Sequence, residues 1–164
     1  MHLALGARRL DLATRALVMA VLDRPGDPVD DAADLVEVTG PGWRPGLPAC
    51  MVAGDADALE RALAAGASLV RLPGPSAEAL RRCGEAAVAV VVPRGAAGMA
   101  EAAGLPPDRV VAGTSFVDVV AVDSPVAAAA VGIVRGGRVV RTAAADVGRV
   151  GRARDVLAAV LEAR

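Results

Sequence analysis

The chain has 164 residues, 54% of them hydrophobic, with 18 basic and 19 acidic residues and a net charge of −1. That is one domain with ample apolar material for a core, and no electrostatic footprint for nucleic acid or an anionic membrane. Lys, Asn, Gln and Tyr are absent, and the lone histidine is His2, so lysine Schiff bases, P-loop lysines, histidine triads and histidine-containing metal sites are excluded. In chain order, short Val- and Leu-rich runs predict strands at 17–22, 35–39, 49–52, 68–72, 88–92, 109–112, 117–122 and 138–141. Ala-rich segments of helical period predict helices at 55–65, 76–84, 98–103, 124–135 and 150–164. Asp55 and Ser76, each followed by an acid in the next turn, are natural N-caps. Gly66 and Gly104 close Ala-rich helices as C′ residues do.

Strands that are continuously apolar are strands covered on both faces, the habit of a parallel sheet with crossover helices. A complete (β/α)8 barrel takes about 250 residues and rarely fewer than about 200. Here the connections at 22–35, 39–49 and 112–117 are too short, or too rich in Gly and Pro, for a helix. The expected architecture is therefore α/β, either a reduced TIM-barrel-like (β/α)8 fold with several outer helices missing or an open sheet. Thin patches left by missing helices would expose strand faces, which argues for burial against another subunit.

Cys50 and Cys83 lie far apart without metal-ligand spacing and read as small buried apolar residues. Arg8, Arg9, Asp11 and Arg15 interrupt any secretory h-region, and no apolar run reaches the roughly 18 residues of a membrane span. A cytoplasmic protein is expected.

Residues 32–46, AADLVEVTGPGWRPG, run a buried-looking strand into a loop of Gly, Pro and one arginine. α/β proteins place ligand contacts at such carboxyl strand ends. The segment resembles, without a gap, the GADIIDVGGESTRPG stretch of dihydropteroate synthases, the pterin-binding enzymes of folate synthesis. Glu37 stands at the family's Asp, Trp43 at its Thr and Arg44 at its Arg. An arginine held among Pro and Gly offers a planar fork to a carboxylate or phosphate.

The resemblance extends along the chain. Residues 10–22, LDLATRALVMAVL, are similar to the family's fDLs…LVMGILN opening, with Asp23 at the metal-binding Asn and Asp27 on the first Asp of the loop that follows. Residues 61–72, RALAAGASLVRL, match ARAALEAGADIIND, with Val52 at the preceding strand's Asp and Arg71-Leu72 at the ND pair. Residues 103–116 resemble AGVPPERIVLDPGIGF with Ala112 near the Asp, and no lysine is present to serve the family's SRKSF motif. Residues 127–147 resemble LAAAVLAVQRGARIVRVHDV; Arg141 takes the family's substrate-phosphate Arg and Ala143 its His.

What the resemblance implies is a scaffold that keeps two anion-facing arginines, Arg44 and Arg141, and has lost the polar set that recognises the pterin. Asp23 would be the residue left to hold a hard cation such as magnesium; otherwise no cofactor is implied. Each polar group of a pterin left unpaired against Val52, Leu72 or Ala112 would cost about 1–3 kcal/mol. The expectation is a non-catalytic structural or regulatory partner of the dihydropteroate synthase type, a homo-oligomer or the associate of a longer relative. The alternatives are a binder of a small anionic metabolite through Arg44 and Arg141, and a residual transferase with Asp23, Asp27 or Glu37 as its acid or base.

Overall fold

A computed structural model describes residues 2–12, 15–44 and 46–164; Pro45 of the loop carrying Arg44 lies outside them. The chain opens with a hairpin that the sequence did not announce. Strand β1 (His2–Leu5) pairs antiparallel with β2 (Arg8–Asp11), Leu5 opposite Arg8. The two-residue turn between them begins at Gly6 with φ +61°, a left-handed conformation that hairpin turns require and glycine adopts without strain.

Eight parallel strands follow: β3 (Leu17–Val21), β4 (Leu35–Glu37), β5 (Ala49–Val52), β6 (Leu69–Arg71), β7 (Ala89–Val92), β8 (Val110–Ala112), β9 (Phe116–Asp118) and β10 (Val139–Ala143). Their order is β8-β7-β6-β5-β4-β3-β10-β9. Thus β3 lies between β4 and β10, the first strand of the sheet beside the last, and the sheet curls into a nearly closed barrel whose ladder is interrupted between β8 and β9. The reduced (β/α)8 alternative is the one observed.

Successive side chains alternate between two apolar layers. Leu17, Met19, Leu35, Cys50, Leu69, Val91, Val111 and Val139 form the interior, and the hairpin contributes Leu3 and Leu5 to the same cluster. The hairpin thereby plugs the barrel. Val18, Ala20, Val36, Met51, Val70, Val90 and Val140 face outward against the helices.

Helices α1 (Ala56–Ala65), α2 (Ala77–Glu85), α3 (Ala97–Ala102), α4 (Pro125–Val134) and α5 (Val147–Glu162) supply that outer layer. The Asp55 and Ser76 side chains accept the N–H groups of Ala58 and Ala79 at 2.7 and 3.1 Å, as capping residues do. Gly66 ends α1 at φ +86°. α4 lies so near β9 that a Cβ on Gly132 would stand 2.6 Å from the Val117 side chain.

Among the described residues no α-helix joins β3 to β4, β4 to β5 or β8 to β9. The expectation that these gaps bare the sheet is not met. Val18, Val36 and Met51 are buried, because the short loops carry their own cover: Val29, Ala32, Trp43 and Leu47 pack on the outer core. The apolar side chains that do remain exposed are mostly on α4 and α5.

An ion cluster ties the amino-terminal ends of β3 and β4 to α5. Asp34 accepts from Arg154 Nη1 at 2.6 Å, Arg15 Nη2 at 2.7 Å and the Val18 N–H at 2.9 Å. Gly151 lets α5 approach closely, since a Cβ there would meet that of Ala32 at 2.5 Å. No helix among the described residues is long and apolar enough to cross a membrane.

Candidate functional site at the barrel mouth

The period-two alternation that sends Leu35, Leu69, Phe116 and Val139 inward also sends inward the residues two places on: Glu37, Arg71, Asp118 and Arg141. All four sit at the carboxyl ends of their strands, where barrel enzymes hold their chemistry. The parallel register sets Arg141 directly beside Asp118 and Val52 beside Arg71.

Arg141 is committed to two acids. Its Nε and Nη2 donate to Glu37 Oε1 at 3.1 and 2.8 Å, and its Nη1 donates to Asp118 Oδ2 at 3.1 Å. The hydrogen bond to Glu37, aided by the charges of Glu37 and Asp118, raises the guanidinium pKa above its ordinary value. Arg71 Nη2 donates to Glu37 Oε1 at 3.3 Å. Its Nε is buried without a hydrogen-bond partner, although it lies 3.3 Å from Glu37 Oε2. The Arg71 guanidinium also stands 6.0 Å from the Phe116 ring centroid, the outer limit of a cation–π contact. Two guanidinium groups and two carboxylates leave the cluster neutral.

Burial is graded across the cluster. The side chains of Glu37 and Arg141 are 8% and 15% exposed, whereas that of Asp118 is 45% exposed. Beneath them Cys50, register partner of Glu37, is fully buried. Burial and the neighbouring Glu37 carboxylate push its thiol pKa upward, so it stays protonated and has no nucleophilic character. The hollow beside Glu37 and Val52 measures about 170 Å³, against the roughly 300 Å³ where small-molecule sites begin.

The sequence-predicted residues are separated by this geometry. Arg141 joins the mouth cluster. Arg44 instead lies 3.9 Å from Asp31 on the exposed loop, so the two arginines have different carboxylate partners. Asp23 is exposed. Asp27 accepts the Arg24 N–H at 3.0 Å and closes a turn. Leu72 and Ala112 pack into the outer layer; it is Arg71 that faces the mouth at the end of β6.

No protein-family profile matches the chain, and no curated protein sequence does. Solved structures do match. The Yersinia pestis dihydropteroate synthase in complex with a sulfonamide drug gives a TM-score of 0.76 at 16% identity, over 100% of this chain and 100% of that one. The Thermus thermophilus enzyme in complex with 4-aminobenzoate gives 0.71 at 19% identity over 99% of each chain. The Vibrio fischeri enzyme gives 0.73 at 14% identity over 99% of this chain and 98% of that one.

The fold is that of the dihydropteroate synthases. On this dihydropteroate-synthase-like barrel, the metal that the resemblance implies finds no donor set: Asp23 stands apart on the surface, and among the described residues no three His, Cys, Asp or Glu side chains converge. Two members of the mouth cluster escaped the sequence reading. Arg71 had counted only as a lost polar strand end, and Asp118 was not singled out. The signal for both was their spacing of two from Leu69 and Phe116, which fixes the face each side chain takes.

Proposed function

We propose that the chain is a non-catalytic, dihydropteroate-synthase-like protein that acts as a structural or regulatory partner rather than by turnover. The observation that carries this reading is the commitment of Arg141 to Glu37 and Asp118. The arginine that would face a substrate phosphate is already occupied by two carboxylates of its own barrel. A diphosphate would have to displace them, and breaking a buried pair costs about 3–5 kcal/mol before any new contact forms. Val52 and Ala143 at neighbouring strand ends offer a pterin no hydrogen bonds. The free, buried Cys50 and Cys83 suit the reducing cytoplasm.

A second reading draws on the unpartnered Arg71 Nε and the half-exposed Asp118. A small anion that displaces Asp118 alone would meet two guanidinium groups, Arg71 and Arg141. One set of measurements separates these readings. Purified protein given hydroxymethylpterin diphosphate and p-aminobenzoate should form no dihydropteroate, and titration with inorganic phosphate should give no heat. Turnover lost in Arg141→Ala would overturn the non-catalytic reading. Phosphate binding that strengthens in Asp118→Asn would establish the anion site instead.

A further inference from the structure

In a complete (β/α)8 barrel the crossover after each strand lays a helix on the outside of the sheet. Between β4 and β5 this chain runs a loop instead. Trp43 and Leu47 of that loop pack on the outer core, but the loop leaves a groove of about 450 Å³ along α1. Pro41 borders it on the loop side, Ala58 and Ala64 on the helix side, with Met51 and Val52 of β5 between them. Val52 is 40% exposed there. The volume falls within the roughly 300–1,000 Å³ of clefts that bury a ligand.

The two sides of α1 differ. Leu59 and Ala62 face the barrel and are buried. Ala58, Arg61 and Ala65, at i, i+3 and i+7, form a second stripe along the groove, small side chains around one guanidinium. Glu60, next to Arg61 in sequence, turns to the other side of the helix, where Arg82 Nε and Nη2 donate to it at 2.8 and 3.2 Å. No acid lines the groove, and Arg61 has no ion-pair partner among the described residues. The surface is apolar with a single uncompensated positive charge.

We propose that this groove holds an amphipathic helix of a partner protein, laid along α1 in the place of the missing crossover helix. Its apolar side chains, spaced i, i+3 or i+4 and i+7, cover Met51, Val52 and the alanines, and an Asp or Glu among them meets Arg61. The charge follows from burial: a guanidinium covered without a carboxylate would oppose docking. The helical form follows from the sheet. β5 is already paired with β4 and β6, so an extended segment would find no open strand edge to join, whereas a helix satisfies its own backbone. From Ala58 to Ala65 α1 offers about 10 Å, two turns of such a helix. This surface gives the partner reading above its place on the molecule and rests on that reading. It is tested separately, because neither Arg141 nor Asp118 lines the groove.

The probe is a displayed library of helix-forming peptides of about 15 residues, long enough to hold a helix, selected on the whole chain and measured by fluorescence anisotropy. Enriched peptides should share the apolar spacing and one acid. Arg61→Glu, on the exposed side of α1, should weaken them about tenfold, and changing the peptide's acid to Arg should restore binding to that variant. Ala64→Trp should block the groove and abolish binding, with an unchanged circular dichroism spectrum in both variants. No enriched peptide, peptides without the acid, or binding indifferent to both substitutions would overturn the proposal. So would self-association of the wild type that Ala64→Trp abolishes, since a second copy would then be the occupant. Dihydropteroate formation by a chain that still binds these peptides would overturn the non-catalytic reading alone; absent binding without turnover would overturn the groove alone.

Discussion

β4 is three residues long, and an acid stands at each end of it: Asp34 just before, Glu37 as its last residue. Both accept from two arginines. Asp34 also accepts a backbone N–H, from Val18, and its partner Arg154, on the buried face of α5, is 3% exposed. Glu37 accepts from the Arg71 and Arg141 guanidinium groups and looks up from an apolar barrel interior toward the open mouth. The same chemistry therefore does different work at the two ends. At the amino-terminal end it ties β4 to α5 in a covered place; at the carboxyl end it ties β4 to β6 and β10 and leaves the mouth cluster neutral.

The sharpest way to break this contrast is Asp34→Ala. It leaves the buried Arg154 guanidinium only Asp155 and the Ala32 carbonyl and orphans the Val18 N–H, so about 3–5 kcal/mol of stability should vanish, read as a fall in melting temperature on the order of 10 °C. Sulfate should restore little, because Arg154 is buried where α5 packs on the barrel. Glu37→Ala should cost less, about 1.5–3 kcal/mol, and sulfate should restore most of it, because the mouth admits an anion between Arg71 and Arg141. Urea unfolding with and without sulfate checks both variants. Equal losses with equal rescue would dissolve the distinction between a structural and a site cluster.

Much of the scaffold was legible because its signals are local or periodic. The eight strands of the sheet, the caps at Asp55 and Ser76 and the stop at Gly66 follow from apolar runs, side-chain acceptors and a residue tolerant of positive φ. The hairpin was not legible: its four-residue strands are too short for a period to show, and Leu3 and Leu5 gain meaning only from the barrel floor they plug. Strand β9 was read one residue late and run four residues too far, because 117–122 is one valine-rich run. The structure ends the strand at Asp118, whose side chain accepts the Val120 N–H at 3.1 Å. The site was half legible. Arg141 was readable by resemblance, but its partners depend on register across three strands, and register is a property of the closed sheet rather than of any one segment.

Arg44 gives the smallest expected effect and sharpens the comparison from outside it. Its Nη1 is 3.9 Å from Asp31, at the edge of an ion pair, and both side chains are largely in solvent. Exposed pairs of this kind gain little, since solvent screens the attraction and two long side chains lose freedom to keep it. Arg44→Ala should leave the urea midpoint within experimental error of wild type. The same variant should leave untouched any phosphate binding gained in Glu37→Ala, because the anion would sit between Arg71 and Arg141 and not on the loop. Placing Arg44→Ala in the Glu37→Ala background and titrating with phosphate measures this directly. A loss of affinity as large as that caused by Arg141→Ala in the same background would mean that the loop reaches over the mouth and both arginines serve one anion. The site would then extend beyond the ion cluster to the Gly- and Pro-rich segment after β4.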